Sequence, residues 1–433
     1  AGLALGLRLG LLVLLLTTIG LIGLRVRGAI AEAKDATRAA GLVEMLKNTR
    51  IGKVPIVVSE LEDLREWSYP LLRNEITKHQ AGSEERLHLA LGLLAADERQ
   101  ADYLGQQLSI CTPEELRVLC EALEPYKHRV TQDLWRIVSD KSHSESERFQ
   151  AAVALSQLSP EDERWEALSD FVADHLTSRV TKMSFGSWSS QLQLAREVLI
   201  EPLARIHADG GRSERQREAA ALLLADYCHD QPVQLVNSIL VAEDLAEYSP
   251  LIQSLRSHAS VTKDLLFAEL QAEMPNPLSA KRRDAFWTRQ AIAAVTLMHL
   301  GHTDLVWPLL RFSPDPSFRS MLIFYFWKLQ ADPVTIANQL IVETDTSARR
   351  ALIQILAGSE LGLLPGSERE RIEGYLRDLY VNDPDPGIHG SASLTLRRWG
   401  VELPDLMKVT RALANEQPVA VDRDRLVDPP PGD

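Results

Sequence analysis

Ser313-Pro-Asp-Pro-Ser-Phe-Arg319, Asp345-Thr-Ser-Ala-Arg349 and Asp385-Pro-Gly-Ile-His389 each stand directly before a run of apolar residues at helical spacing. In all three an acid precedes a basic or imidazole side chain by four positions: Asp315 and Arg319, Asp345 and Arg349, Asp385 and His389. A carboxylate in front of a helix accepts hydrogen bonds from the unpaired first-turn amides. Proline suits the first helical position, where no donor is needed. Each Asp is therefore expected to start a helix, with Pro316 and Pro386 at its first position. The recurrence predicts stacked helical hairpins from Val306 to Trp399 rather than a catalytic loop.

Further helix starts surround this block. Thr112-Pro-Glu-Glu115, Ser144-Glu-Ser-Glu147, Ser213-Glu-Arg-Gln216 and Ser367-Glu-Arg-Glu370 have the form of capping boxes, in which the last residue reaches back to a free backbone amide. After Ser367, the positions Ile372, Tyr375, Leu376, Leu379 and Tyr380 form one apolar stripe, which needs a neighbour on one side only. Ala291 to Leu300 and Met321 to Leu329 are apolar nearly all round. They are expected to be covered inner helices, because such a surface in water would be an association site. Arg148, Arg217, Arg289, Arg319 and Arg349, with His389 in the corresponding place, mark a period of roughly 30 to 40 residues, in or slightly below the range of HEAT and armadillo units. Trp135, Trp165, Trp188, Trp287, Trp307, Trp327 and Trp399 are read as packing between helices.

The two ends read differently. Leu9 to Leu24 is an uncharged run closed by Arg25 and Arg27, which predicts a membrane span with bilayer contact over residues 3–24. Ala29-Ile-Ala31 is the rival sign, a small-residue cleavage site, which the two arginines before it weaken. Gly28 to Asn48 reads as a helical stalk, and Ile51 to Ser59, with Pro55 inside it, as a loop or short extended connector. The chain closes on Val427-Asp-Pro-Pro-Pro-Gly-Asp433, an extended linker. The expected fold is all-α: a transmembrane helix (1–28), a stalk and connector (29–55), a HEAT/armadillo-like α-solenoid (56–404) and a Pro-rich linker (405–433).

Chemistry is sparse. A formal charge of −13 argues against a general polyanion binder, so no nucleic-acid partner is expected. Cys111, Cys120 and Cys228 have no metal-ligand spacing and read as small buried apolar residues. Asp383-Pro-Asp385-Pro-Gly387 begins like a calcium loop, but its glycine comes one position early and Leu394 stands where the final acid belongs. Helix capping is the better reading there, and Asp385 with His389 lacks a third metal ligand. Lys281-Arg-Arg283, Arg349-Arg350 and Arg397-Arg398 read as solvated helix faces, the first with the alternative of touching acidic lipid or a partner. Arg319 and Arg349 are expected to bridge to Asp315 and Asp345 of adjacent repeats. No phosphate loop, HExxH or GxSxG is present, and no catalytic, cofactor-binding or metal residue is assigned.

Trp307 to Ser320, Arg349-Arg-Ala-Leu-Ile353, Asp383 to His389 and Leu396-Arg-Arg-Trp399 together resemble a region of large bacterial membrane-anchored proteins. In that family a Ser/Thr protein kinase domain is followed by a membrane span and a HEAT-like region, and often by a formylglycine-generating (sulfatase-modifying factor) domain. The resemblance covers the span and most of Val54 to Trp399, and neither catalytic domain falls within these residues. It implies a non-catalytic scaffold or interaction region that takes a protein partner or adjacent domain in its groove. The alternative is a regulatory region relaying a signal to a kinase outside the chain. The family layout places the helical body outside the cytoplasm, whereas Arg25 and Arg27 by themselves favour the inside.

Overall fold

A computed structural model describes residues 25, 27, 29–274, 279–359 and 364–403. Among these residues every regular element is helical. They fall into two compact units divided between Leu203 and Ala204, whereas the sequence reading has one continuous body over 56–404. No helix among the described residues is long and apolar enough to cross a membrane. The Leu9 to Leu24 run and the Pro-rich linker lie outside them.

The first unit runs α1 (29–48), α2 (Val54–Glu62), α3 (Arg65–Ile76), α4 (Glu84–Leu93), α5 (Gln100–Gln107), α6 (Pro113–Leu123), α7 (Lys127–Ser139), α8 (Glu145–Leu158), α9 (Trp165–Ser178) and α10 (Lys182–Gln191). Helix α11 (Arg196–Ala208) carries the chain past the division. Leu87 to Leu93 of α4 and Ala151 to Leu155 of α8 are buried at every position, so these are inner helices wrapped by neighbours. The expected stalk is not free along its length. Ala39, Leu42, Val43 and Leu46 are buried, the Leu46 carbonyl meets His88 Nδ1 of α4 at 3.0 Å, and Lys47 pairs with Glu75 of α3 at 3.5 Å. The expected connector is also helical: Ile51–Lys53 is a 3-10 turn and α2 follows at once. Pro55 sits in the first turn of α2, where its missing N–H leaves no bond unmade, so it starts a helix instead of interrupting a strand.

The second unit runs α12 (Glu214–Tyr227), α13 (Pro232–Ile239), α14 (Leu245–Leu255), α15 (Ala259–Gln271), α16 (Ala280–His299), α17 (Ser317–Lys328), α18 (Pro333–Val342), α19 (Thr346–Gly358), α20 (Gly366–Asn382) and α21 (Pro386–Arg398). Helix α12 packs on α14, α16 on α17, α17 on α19 and α19 on α21, while α13, α15, α18 and α20 alternate beside that row. Each element meets chiefly its near neighbours in sequence, an arrangement compatible with an α-solenoid. Burial follows the expected stripe on α20, with Ile372, Leu376, Leu379 and Tyr380 inside. Ala291 to Met298 are buried throughout. Met321 to Leu329 is covered on one side only: Leu322, Tyr325, Phe326 and Leu329 are buried, but Phe324 and Trp327 are 42% and 50% exposed.

The caps follow local chemistry. Thr112, Ser144 and Ser213 each close a full capping box. Ser367 does not, because α20 already begins at Gly366 and places Ser367 inside the first turn. Asp345 and Asp385 accept from the amides of Ala348 and Ile388, each at 2.9 Å. Asp315 accepts from Ser317 at 2.9 Å but stands one residue before Pro316, which immediately precedes α17.

Candidate functional site

Of the acids and cations singled out in the sequence, Arg349, Arg350, Asp383 and Asp385 are brought together as links between helices, whereas Asp315 and Asp345 bond locally to Ser317 and Ala348. Arg349 meets Asp383 at 2.6 Å, and Arg350 grips both oxygens of Asp385 at 2.9 and 2.5 Å. Arg349 therefore reaches forward to the acid ahead of the next stacked helix, not to its own Asp345. Asp345 is engaged as the cap of α19, accepting from the Ala348 amide, and Arg349 goes instead to the buried acid ahead of α21. Asp385 is held below the usual carboxylate range, first by the Arg350 guanidinium. Its Oδ1 also caps α21 by accepting from the Ile388 amide, which leaves the loop's acids engaged. His389 Nδ1 contacts the Tyr380 carbonyl, and Leu394 is 52% exposed. Among the described residues no group of three or more His, Cys, Asp or Glu side chains is placed to hold a metal ion. Lys281 to Arg283 are exposed on the first turn of α16.

A second cluster was not anticipated. Arg217 of α12 donates through Nε to Glu247 of α14 at 2.8 Å, and its other arm meets Glu243 at 2.9 Å. Glu247 is fully buried, and its second oxygen accepts from the Glu243 amide at 2.8 Å. Buried His207 lies 3.8 Å from that oxygen and bonds the Ser238 carbonyl through Nε2 at 3.1 Å. Burial pushes the His207 imidazole below its ordinary value, against the opposing pull of Glu247. One helix further, the buried Tyr248 hydroxyl contacts Thr296 at 3.2 Å and His299 Nδ1 at 2.9 Å. The sequence signal was a basic residue in one repeat and an acid thirty positions on in the next, the |i−j| of 30 between Arg217 and Glu247. These groups join α11, α12, α14 and α16 internally.

The surface feature best suited to receive another molecule is a groove of about 430 Å³ in the first unit. Its floor is apolar: Val54 and Val58 of α2, Leu91 and Leu94 at the end of α4, and Val118 and Ala122 of α6. Pro55, Ser59, Glu62, Ala95, Glu121, Pro125 and Tyr126 complete the lining. Helices α2, α3 and α4 pack against one another. The Thr112 to Glu115 box sets the start of α6, and the Tyr126 hydroxyl donates to the Leu94 carbonyl at 3.4 Å. Reading Ile51 to Ser59 as a connector concealed this groove, since α2 forms one of its walls. An apolar concavity with a few polar groups at its edge is the general form of a binding site.

The second unit has a smaller cleft of about 310 Å³ between the start of α14 and the ends of α17 and α19, where Trp327 lies beside Lys328, Gln330 and Gly358. Trp327 is seated on Gly358, where a Cβ would fall 2.7 Å from the indole. The remaining tryptophans singled out divide between buried Trp135, Trp165, Trp188 and Trp399 and half-buried Trp287 and Trp307. All three cysteines are buried, and burial pushes the Cys111 thiol up to about 12. No protein-family model matches this chain, and a search of curated proteins finds no match.

Proposed function

We propose that the chain is a membrane-anchored, non-catalytic helical-repeat scaffold of HEAT/armadillo type that receives a protein partner in the groove of its first unit. The observation that carries this reading is the division of labour among side chains. The groove has an apolar floor with polar groups at its edge, while the acids and cations with the most buried surroundings join one helix to the next. The anchor rests on the uncharged Leu9 to Leu24 run. A photo-crosslinker at Val58 in cells is expected to give a discrete protein adduct, and one at exposed Asp133 on α7 is not. Equal labelling from both positions would overturn the scaffold reading. Deleting residues 1–28 is expected to move the chain from the membrane pellet to the supernatant, and retention in the pellet would remove the anchor.

A second reading, relay of a signal to a Ser/Thr kinase domain outside the chain, is favoured by α1. One face of that helix, Ala39, Leu42, Val43 and Leu46, is buried in the first unit, so displacing it would disturb the packed helices. Inserting alanines ahead of Ile30 to rotate α1 is expected to change hydrogen exchange in α3 and α4, and no change would sink the relay.

A further inference from the structure

The groove of the first unit has a chemical preference, and the inference rests on its being the docking site just proposed. Its lining includes two carboxylates, Glu62 and Glu121, and no lysine, arginine or histidine. Glu62 has no ion-pair partner among the described residues, and Glu121 shares one oxygen with Arg117 in an exposed pair at 2.9 Å, which leaves the other open. The backbone adds the same sign. Helices α2, α4 and α6 each contribute their last turn to the groove, through Glu62, Leu91 and Ala122 respectively. None of the three last turns carries a basic residue. The C-terminal end of a helix carries a partial negative charge, which ordinarily favours a cation nearby. Three such ends and two carboxylates border the apolar floor, and Arg117 answers only Glu121, so a further cation beside Glu62 would come from outside. We infer that the groove docks an amphipathic helix of a partner protein, its apolar face over Pro55, Val58 and Ala95 above the buried floor of Leu91, Leu94 and Val118, and its lysine or arginine flanks beside Glu62 and Glu121. Apolar anchors at successive turns supply contact area, and the rim charges set which helix enters.

The test uses the full chain in nonionic detergent and two labelled synthetic helices with one Leu/Ala face, one flanked by lysine and the other by glutamate. Fluorescence anisotropy is expected to show binding of the lysine helix alone. Glu62→Lys with Glu121→Lys is expected to weaken that binding by about tenfold or more and to admit the glutamate helix instead. Ala122→Trp fills the groove and is expected to abolish both, with circular dichroism reporting whether the variant is folded. The exchange of preference in the double-lysine variant tests the inference without Ala122→Trp. A net charge of −13 attracts any basic peptide, so a lysine helix that binds the double variant as well as the unaltered chain overturns the inference. Preference for a proline-rich probe over the lysine helix overturns it too, while leaving the scaffold standing if the Val58 adduct forms. Absence of both the adduct and helix binding removes the two together.

Discussion

The two units join successive helices in different ways. In the first, the buried polar side chains are neutral ones such as Ser68, Ser156 and Gln191, which bond to backbone carbonyls. Its ion pairs, such as Arg129 with Asp102 at 2.8 Å, mostly stay in solvent, with Lys47 and Glu75 the more covered exception. In the second, full charges go inside: Arg217, Glu247 and Asp383 are all buried. The caps differ likewise. Ser83, Thr112 and Ser144 start helices in the first unit, while in the second Ser213 starts α12 and Asp244, Asp332, Asp345 and Asp385 start four others. A hydroxyl cap satisfies one helix, whereas a carboxylate cap can also hold an arginine from another, as Asp385 does with Arg350 of α19. Charged caps therefore tie local helix formation to stacking.

The comparison can be broken most forcefully at Glu247. Glu247→Ala leaves Arg217 buried with only exposed Glu243, and should cost about 3 to 5 kcal/mol in chemical denaturation. Replacing Arg217 and Glu247 together by Met and Leu should recover most of that loss. A large loss in the double variant would mean that packing, and not charge, made the link. In the first unit, Gly105→Ala would set a Cβ 2.7 Å from Val130 and should cost about 1 to 3 kcal/mol through overpacking. Asp345→Ala and Ser144→Ala should each cost about 1 kcal/mol as lost caps, and melting of the two variants measures them directly.

Acidity sharpens the contrast. Burial depresses the imidazoles of His207 and His299 in the second unit and of His175 in the first. The unfolded chain takes up those protons as pH falls through the ordinary value of 6.5, while the folded chain resists them. Their stabilisation is present above that value and declines below it. Hydrogen exchange at about pH 5.5 against about pH 7 should show α12, α14 and α16 losing more protection than α4 to α6. His207→Asn with His299→Asn should flatten the difference. Asp97, held at about 2 chiefly by Arg99, loses its contribution only in stronger acid. The smallest expected effect is at Gln330, which ends α17 with a φ of 50°. Gln330→Gly should raise stability by less than about 1 kcal/mol, because glycine relieves the left-handed strain but gains freedom when unfolded.

Helix starts were legible because they depend on residues three or four apart. The Thr112, Ser144 and Ser213 boxes and the Asp345 and Asp385 caps all required only neighbours. Where a start went astray, a competing local choice had won. Pro365 and Gly366 begin α20 ahead of Ser367, and Pro55 serves a helix in a segment whose valines suggested extension. The inside and outside of α20 were readable from one stripe. Those of α17 were not, since an aromatic run without polar interruption does not say which face its neighbours cover.

The amino-acid order by itself determined that the described residues are helical and where many of their helices begin, because each is a matter of bonds and spacings within a turn or two. Only the tertiary structure decided that Arg217 belongs to Glu247 and Arg349 to Asp383, that Trp327 faces water, and that three helix ends converge on one apolar groove. Those pairings join residues about a repeat apart, and stacking alone chooses which of several similar partners meet.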